Sequence, residues 1–203
     1  AGYTMVHVRL ELGDITSVQM RTLAFAAREF GDGTVRSTNQ QNFVLRWIPS
    51  ERLPALYRVL SAVGLTTPSA ERLADVTACP GVDTCQLGIT SSRGLAAALG
   101  ALCEDELRDL ADEAGIRIKI SACPNSCGQH HLANIGFFGG AKKFNGLQVP
   151  TYEMLLGASM APGTPQYAKT VARIPAKKIS GAVEAILRLY QKERQDGESF
   201  NSF

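Results

Sequence analysis

No stretch of this chain is apolar for long enough to cross a bilayer, and its first residues lack the basic and apolar segments of a signal peptide. It has no G-x-G-x-x-G turn and no P-loop, so nothing marks a flavin, nicotinamide or nucleotide site, and Gly139-Gly140 is not a phosphate loop. Charge of one sign is also missing. The 21 Lys and Arg against 19 Asp and Glu leave a net charge of +2, which gives no footing for nucleic acid or an anionic membrane. Low-complexity tracts and internal repeats are absent. There are three histidines, and none completes a zinc finger with the cysteines at the usual spacing. What remains is an ordinary globular composition, 45% apolar and 20% charged, in 203 residues: one large domain or two small ones.

The cysteines are the informative residues. Five is an odd number for a secreted disulfide scaffold, and the chain is large for one. A reducing, cytoplasmic setting is expected, where thiolates stay free for metal. Four of the five form two pairs. Cys79 and Cys85 make C-x5-C, a gap of 37 residues follows, and Cys123 and Cys127 make C-x3-C. Zinc sites usually place two to four residues inside a pair, so the first interval stretches that pattern. Four thiolates with no obligatory histidine suit a [4Fe–4S] cluster better. A structural zinc site, or inert buried thiols, stays open on spacing alone. Cys103 sits in a helical stretch outside both pairs and reads as a small buried hydrophobe.

Periodicity supplies the frame. Residues 5–11 alternate as a half-buried strand, and Thr16 with Gln19 reads as a capping box opening a helix with Met20, Leu23, Ala24, Ala27 and Phe30 inside. Gly31-Asp32-Gly33 closes that helix. A polar strand over 34–42 leads into an apolar one, and Ser50 caps a second helix with Leu53, Leu56, Tyr57, Leu60 and Val63 on its core face. Residues 66–69 read as a linker. Beyond it come the first cysteine pair, a helix over 95–114 broken near Gly100, and a strand over 116–120 delivering the second pair. Strands over 132–138, 152–156 and 170–174 follow, with a hairpin turn at Asn145-Gly146, then a helix after Pro175 and a loose tail over 194–203.

The segments TACPGVDTC and ISACPNSCGQ resemble the cluster motif of the siroheme-containing nitrite and sulfite reductases, and the resemblance runs over nearly the whole chain. It implies an α+β protein: a ferredoxin-like half-unit over 1–67, then a larger α/β unit over 68–203 that binds siroheme and a [4Fe–4S] cluster. By the same resemblance Cys79, Cys85, Cys123 and Cys127 hold the cluster, converging on one point, and the Cys127 thiolate bridges it to the siroheme iron. Arg36, Thr38, Gln41 and Asn42 are similar to the family's R-x-T-x-x-Q-N segment that lines the siroheme, and Asn125 matches a neighbouring position. Siroheme carries several carboxylates, whose burial needs such cations and amides. Arg93, Lys142 and Lys143 read better as solvated surface. The family motif does not require His130 and His131, although histidine is an apt proton donor.

The implied reaction is the six-electron reduction of sulfite to sulfide or nitrite to ammonia. Electrons come from an external donor, a ferredoxin or a flavoprotein. The first cysteine loop is closer to sulfite-reducing members and the second to nitrite-reducing ones, with a lean to sulfite. The chain resembles the C-terminal, cluster-bearing half of such an enzyme, and Glu198-Ser199-Phe200 resembles a point where family chains continue. Most cations for the substrate anion come from the other half in that family, so this chain alone is expected to be incomplete. The alternatives are a compact single-half siroheme protein, catalytic or electron-carrying, a cofactor-free domain, and a zinc-binding structural domain.

Overall fold

The computed structural model describes residues 2–111, 113, 115–160, 163 and 165–203. The chain divides into two compact units, Ala1–Glu71 and Arg72–Phe203.

In the first unit, β1 (Tyr3–Val8), β3 (Phe43–Pro49) and β2 (Val35–Ser37) form an antiparallel sheet in the order β1-β3-β2. Helix α1 (Ser17–Phe30) opens on the expected box: Thr16 Oγ1 accepts from Gln19 N at 3.2 Å, and Gln19 Oε1 accepts from Thr16 N at 2.9 Å. Its buried stripe is Leu23, Ala26, Ala27 and Phe30, whereas Met20 faces solvent, so the apolar face is rotated slightly from the expected one. Helix α2 (Leu53–Ser61) follows a 3-10 turn at Ser50–Arg52, and Ser50 makes no side-chain cap. Leu56 and Leu60 close the core with Val8, Leu10, Leu45, Ile48 and Leu65, and Tyr57 stays exposed.

The first strand stops at Val8, earlier than the alternation suggests, because the chain turns in at Arg9 and Leu10, both buried. The polar strand is shorter too. After Ser37 the backbone makes a turn in which Gln41 N donates to Thr38 O (3.1 Å), and Gln41 takes a left-handed φ of 65°.

The second unit is built on a five-stranded sheet in the order β4-β5-β6-β7-β8. Strands β4 (Thr77–Ala78), β5 (Ile118–Ser121) and β6 (Ile135–Phe144) run parallel, and β7 (Leu147–Leu156) and β8 (Lys169–Pro175) continue antiparallel. The hairpin is where Asn-Gly places it: Asn145 (φ 48°) and Gly146 (φ 81°) join Phe144 to its partner Leu147. Helix α3 (Ser92–Glu104) begins at Ser91, whose hydroxyl accepts from Gly94 N at 3.2 Å. It passes Gly100 without a break and ends at Glu104, earlier than expected. It packs on β4, β5 and α4 (Ile179–Glu193). Two residues of the expected helical span, 112 and 114, lie outside the described residues.

The tail is tied down. Phe200 and Phe203 meet the Tyr190 ring edge-on, Tyr190 Oη donates to Glu198 O (2.7 Å), and Asn201 Nδ2 donates to Ala158 O (2.6 Å). Among the described residues no helix is long and apolar enough to cross a membrane.

Candidate metal centre

Parallel strands with helical crossovers send their loops out at the carboxyl ends, and both cysteine pairs occupy such loops. Strand β4 ends at Ala78, so Cys79 is the next residue. Strand β5 beside it ends at Ser121, and Cys123 follows two residues later. Cys79 N donates to Ile120 O at 3.1 Å, and Ala122 N returns a hydrogen bond to Cys79 Sγ at 3.2 Å. The first loop then folds back on the second: Ile89 N and Thr90 N both donate to Ala122 O at 3.2 Å. Ser92 Oγ donates to Cys79 O (2.7 Å) and lies 3.4 Å from Cys79 Sγ. Two segments 37 residues apart in sequence are thereby laid side by side.

Each loop is also closed on itself. Cys85 N donates to Gly81 O (2.8 Å), and Gly88 N to Cys85 O (3.1 Å). Gln129 N donates to Ser126 O (2.8 Å), with Ser126 and Gln129 both left-handed at φ 59° and 60°. Those two residues make the bend, and Gly128, which has no positive φ, does not. Gly128 is glycine for a different reason: a Cβ there would collide with the carbonyl oxygen of Ile120, so the loop lies directly on β5.

All five cysteines are free thiols. Cys79 and Cys123 are buried, Cys85 and Cys127 are exposed, and Cys103 is fully buried near the end of α3, in neither loop. Among the described residues no three His, Cys, Asp or Glu stand together as a metal cage. Cys79 Sγ is turned inward onto Ala122 N and Ser92 Oγ. The backbone hydrogen bonds bring the two loops together. The donor set itself fits an iron–sulfur cluster: four free thiols, one of them already accepting a backbone N–H of the kind that tunes cluster sulfur.

The remaining predicted residues fall as follows. Asn125 is exposed within the second loop. Arg36 is an exposed side chain on β2, and Gln41 is half-buried in the turn after it. Thr38 and Asn42 build that turn. Thr38 Oγ1 accepts from Gln40 N (3.2 Å) and Asn42 N (3.1 Å), and Asn42 is buried with its Oδ1 accepting from Leu10 N at 2.8 Å. The expectation that Asn42 presents its amide to a cofactor thus meets a strong structural claim on that oxygen. Arg93 pairs with Asp83 at 3.3 Å, and Lys142 and Lys143 are exposed on β6.

Sequence reasoning passed over the residues behind the loops. The strand expected to deliver the second cysteine pair is β5, and all four of its residues are buried, Lys119 and Ser121 included. Lys119 Nζ donates to Gln129 Oε1 at 3.0 Å. Ser121 Oγ accepts from Gly128 N at 3.0 Å and lies 2.8 Å from His130 Nδ1. Burial lowers the His130 pKa from 6.5 to about 4, with repulsion from neighbouring His131 adding to it, so the ring is neutral near pH 7. Burial likewise pushes the Tyr152 hydroxyl up, and the nearby Cys79 adds to that. Its Oη donates to Ser91 O at 2.9 Å. The only sequence signal for Ser121 and Lys119 was their place immediately before the second cysteine pair.

This frame can be set against known proteins. Residues 1–63 match the model of the nitrite/sulfite reductase ferredoxin-like half domain, and residues 69–200 match that of the nitrite and sulphite reductase 4Fe-4S domain. The chain belongs to the nitrite and sulfite reductase family. Among curated members of the family, the ferredoxin–nitrite reductase of Synechococcus elongatus is 31% identical over 79% of this chain and 31% of its own length. The sulfite reductase [NADPH] hemoprotein beta-component of Bacillus velezensis is 29% identical over 96% of this chain and 34% of its own. The chain spans about a third of the length of these relatives. The solved structure of the Mycobacterium tuberculosis NirA protein shares the fold, with a TM-score of 0.85 at 24% identity over 98% of this chain and 39% of that one. Family membership and the fold agree on an α+β reductase domain pair, a ferredoxin-like half domain followed by a larger unit.

Proposed function

We propose that this chain is the cluster-bearing part of a siroheme- and [4Fe–4S]-dependent reductase that converts sulfite to sulfide or nitrite to ammonia. The observation that carries the reading is the side-by-side closure of the two cysteine loops at the carboxyl ends of β4 and β5. Cys79, Cys85, Cys123 and Cys127 would hold the cluster, with Cys127 also the residue shared with siroheme iron. When bound, these groups supply the electron store and the iron that binds the anion.

The chain's own residues prepare the place. Ala122 N gives Cys79 Sγ a hydrogen bond, which stabilises negative charge on sulfur. Val82, Leu87 and Ile89 are 47%, 68% and 47% exposed around Cys85, an apolar surround suited to covering by a large cofactor. On the first unit, Arg36 offers an exposed guanidinium for a siroheme carboxylate. Thr38 and Asn42 fix the turn next to it, and Gln41 lends its amide. Asn125 supplies a second amide from the exposed part of the cysteine loop.

With no nicotinamide or flavin motif in the chain, electrons enter from a partner. Relatives named for ferredoxin and for NADPH make a ferredoxin or a flavoprotein the fitting donor class. By the family resemblance most cations for the substrate anion come from the other half of the reductase, so that half is part of the proposal. The test is an absorption spectrum of the chain produced with siroheme synthesis supported, followed by a viologen-driven assay with sulfite and nitrite. Strong visible siroheme bands with sulfite turnover after addition of the other half support the reading. A colourless, zinc-loaded protein sinks it, and full turnover by residues 1–203 alone would replace it with the compact single-half enzyme.

A further inference from the structure

One face of β5 grips the segment that follows Cys127. Lys119 and Ser121 are two residues apart, so their side chains leave the strand on the same side. Gly128, Gln129 and His130 are each tied to that side. Gly128 N donates to Ser121 Oγ (3.0 Å), Gln129 Oε1 accepts from Lys119 Nζ (3.0 Å), and His130 Nδ1 sits 2.8 Å from Ser121 Oγ. On the neighbouring strand β6, Gly136 and Phe138 pair with Lys119 and Ser121 and meet the same segment from that shared face. A Cβ at Gly136 would collide with His130 O, and the Phe138 ring lies 4.9 Å from the imidazole. His130 is fully buried, yet its Nε2 has no hydrogen-bond partner among the described residues. Burying a lysine and a histidine beside a loop is costly unless the bonds they make are needed.

We propose that Ser121 and His130 are positioning residues for Cys127: the imidazole Nδ1 orients the Ser121 hydroxyl, which holds Gly128 N and so fixes the backbone that carries the exposed thiol. The inference goes beyond the proposed function and rests on it only in naming what Cys127 holds. Ser126 and Gln129 both sit at left-handed φ, where a non-glycine residue is strained, so the loop needs outside bonds to keep its shape. Without Ser121 Oγ the buried Gly128 N–H loses its acceptor, and the loop opens to satisfy it with water.

The experiment reads hydrogen exchange at the Gly128 amide in the metal-free chain, with circular dichroism to confirm folding. It also reads the rate at which a chelator removes iron from the reconstituted chain. Ser121→Ala is expected to speed Gly128 exchange about tenfold, the scale of one hydrogen bond. Asparagine places a polar atom where Nδ1 stands and glutamine where Nε2 stands. His130→Asn is therefore expected to hold exchange near the parent rate, and His130→Gln to behave like Ser121→Ala. Iron loss should follow the same order. Equal exchange in the parent, Ser121→Ala and His130→Gln chains overturns the proposal, as does equal loss of protection in both His130 variants. If Ser121→Ala does not fold, the two His130 variants carry the comparison. A parent chain that takes up no iron counts against the proposed function, while the exchange measurement still decides the clamp.

Discussion

At Gly128 a single absent methyl group decides whether the second cysteine loop can rest on β5. Any side chain there meets the Ile120 carbonyl oxygen, which is backbone and cannot rotate away. Gly128→Ala is therefore expected to destabilise the second unit by about 3 kcal/mol or more, at the upper end of overpacking, and chemical denaturation would measure it. His130 gives a prediction in pH. Its folded pKa of about 4 lies below the ordinary 6.5. Between those values the unfolded chain takes up a proton that the folded chain refuses. Stability is thus full above pH 6.5 and falls as pH drops towards 4, by about 3 kcal/mol in total. Urea unfolding of the parent against His130→Asn at several pH values should show the asparagine variant losing this slope. These residues were poorly legible in the sequence. His130 looked like a spare proton donor, and nothing marked Gly128 or Ser121 beyond their places beside the second cysteine pair. Each is explained by a neighbour distant in sequence or by backbone packing, which local pattern does not report.

Among the elements, helices and hairpin were the most legible, because their signals are local. Thr16 with Gln19 opens α1 and Asn145-Gly146 turns β6 into β7, as their chemistry requires. Gly100 was misread as a break. Its helix packs on β4 and β5, and that burial outweighs the weak propensity of one glycine. Among the described residues, and apart from its own helix turn, no atom lies within 4 Å of a Cβ built there. Gly100→Ala is accordingly expected to stabilise the second unit by about 0.5–1 kcal/mol, seen as a raised melting temperature. The turn after β2 shows the opposite case. Asn42 was read as a cofactor contact, but its Oδ1 serves Leu10 N in the core. Asn42→Ala should cost the first unit about 1–3 kcal/mol by leaving that N–H buried and unmet, measurable by denaturant unfolding whether or not any cofactor is present. The tail was read as loose because it is polar, and two phenylalanines on Tyr190 outweighed that composition.

For the whole molecule, the cysteine spacing carried the family and the sheet order explains the spacing. Parallel pairing of β4 with β5 sets the residues after Ala78 and after Ser121 next to one another, which nothing in the interval of 86–122 could have shown. The central claim is that four of the five cysteines hold one cluster at this end of the sheet. The most direct measurement is iron and acid-labile sulfide per chain after anaerobic reconstitution, in the parent and in Cys→Ser variants at positions 79, 85, 103, 123 and 127. The account predicts about four iron and four sulfide per parent chain. It also predicts loss of most of both on substitution of Cys79, Cys85, Cys123 or Cys127, and retention in Cys103→Ser, whose thiol is buried on α3. Full iron and sulfide in Cys85→Ser and Cys127→Ser, or loss in Cys103→Ser equal to that in Cys79→Ser, would contradict it.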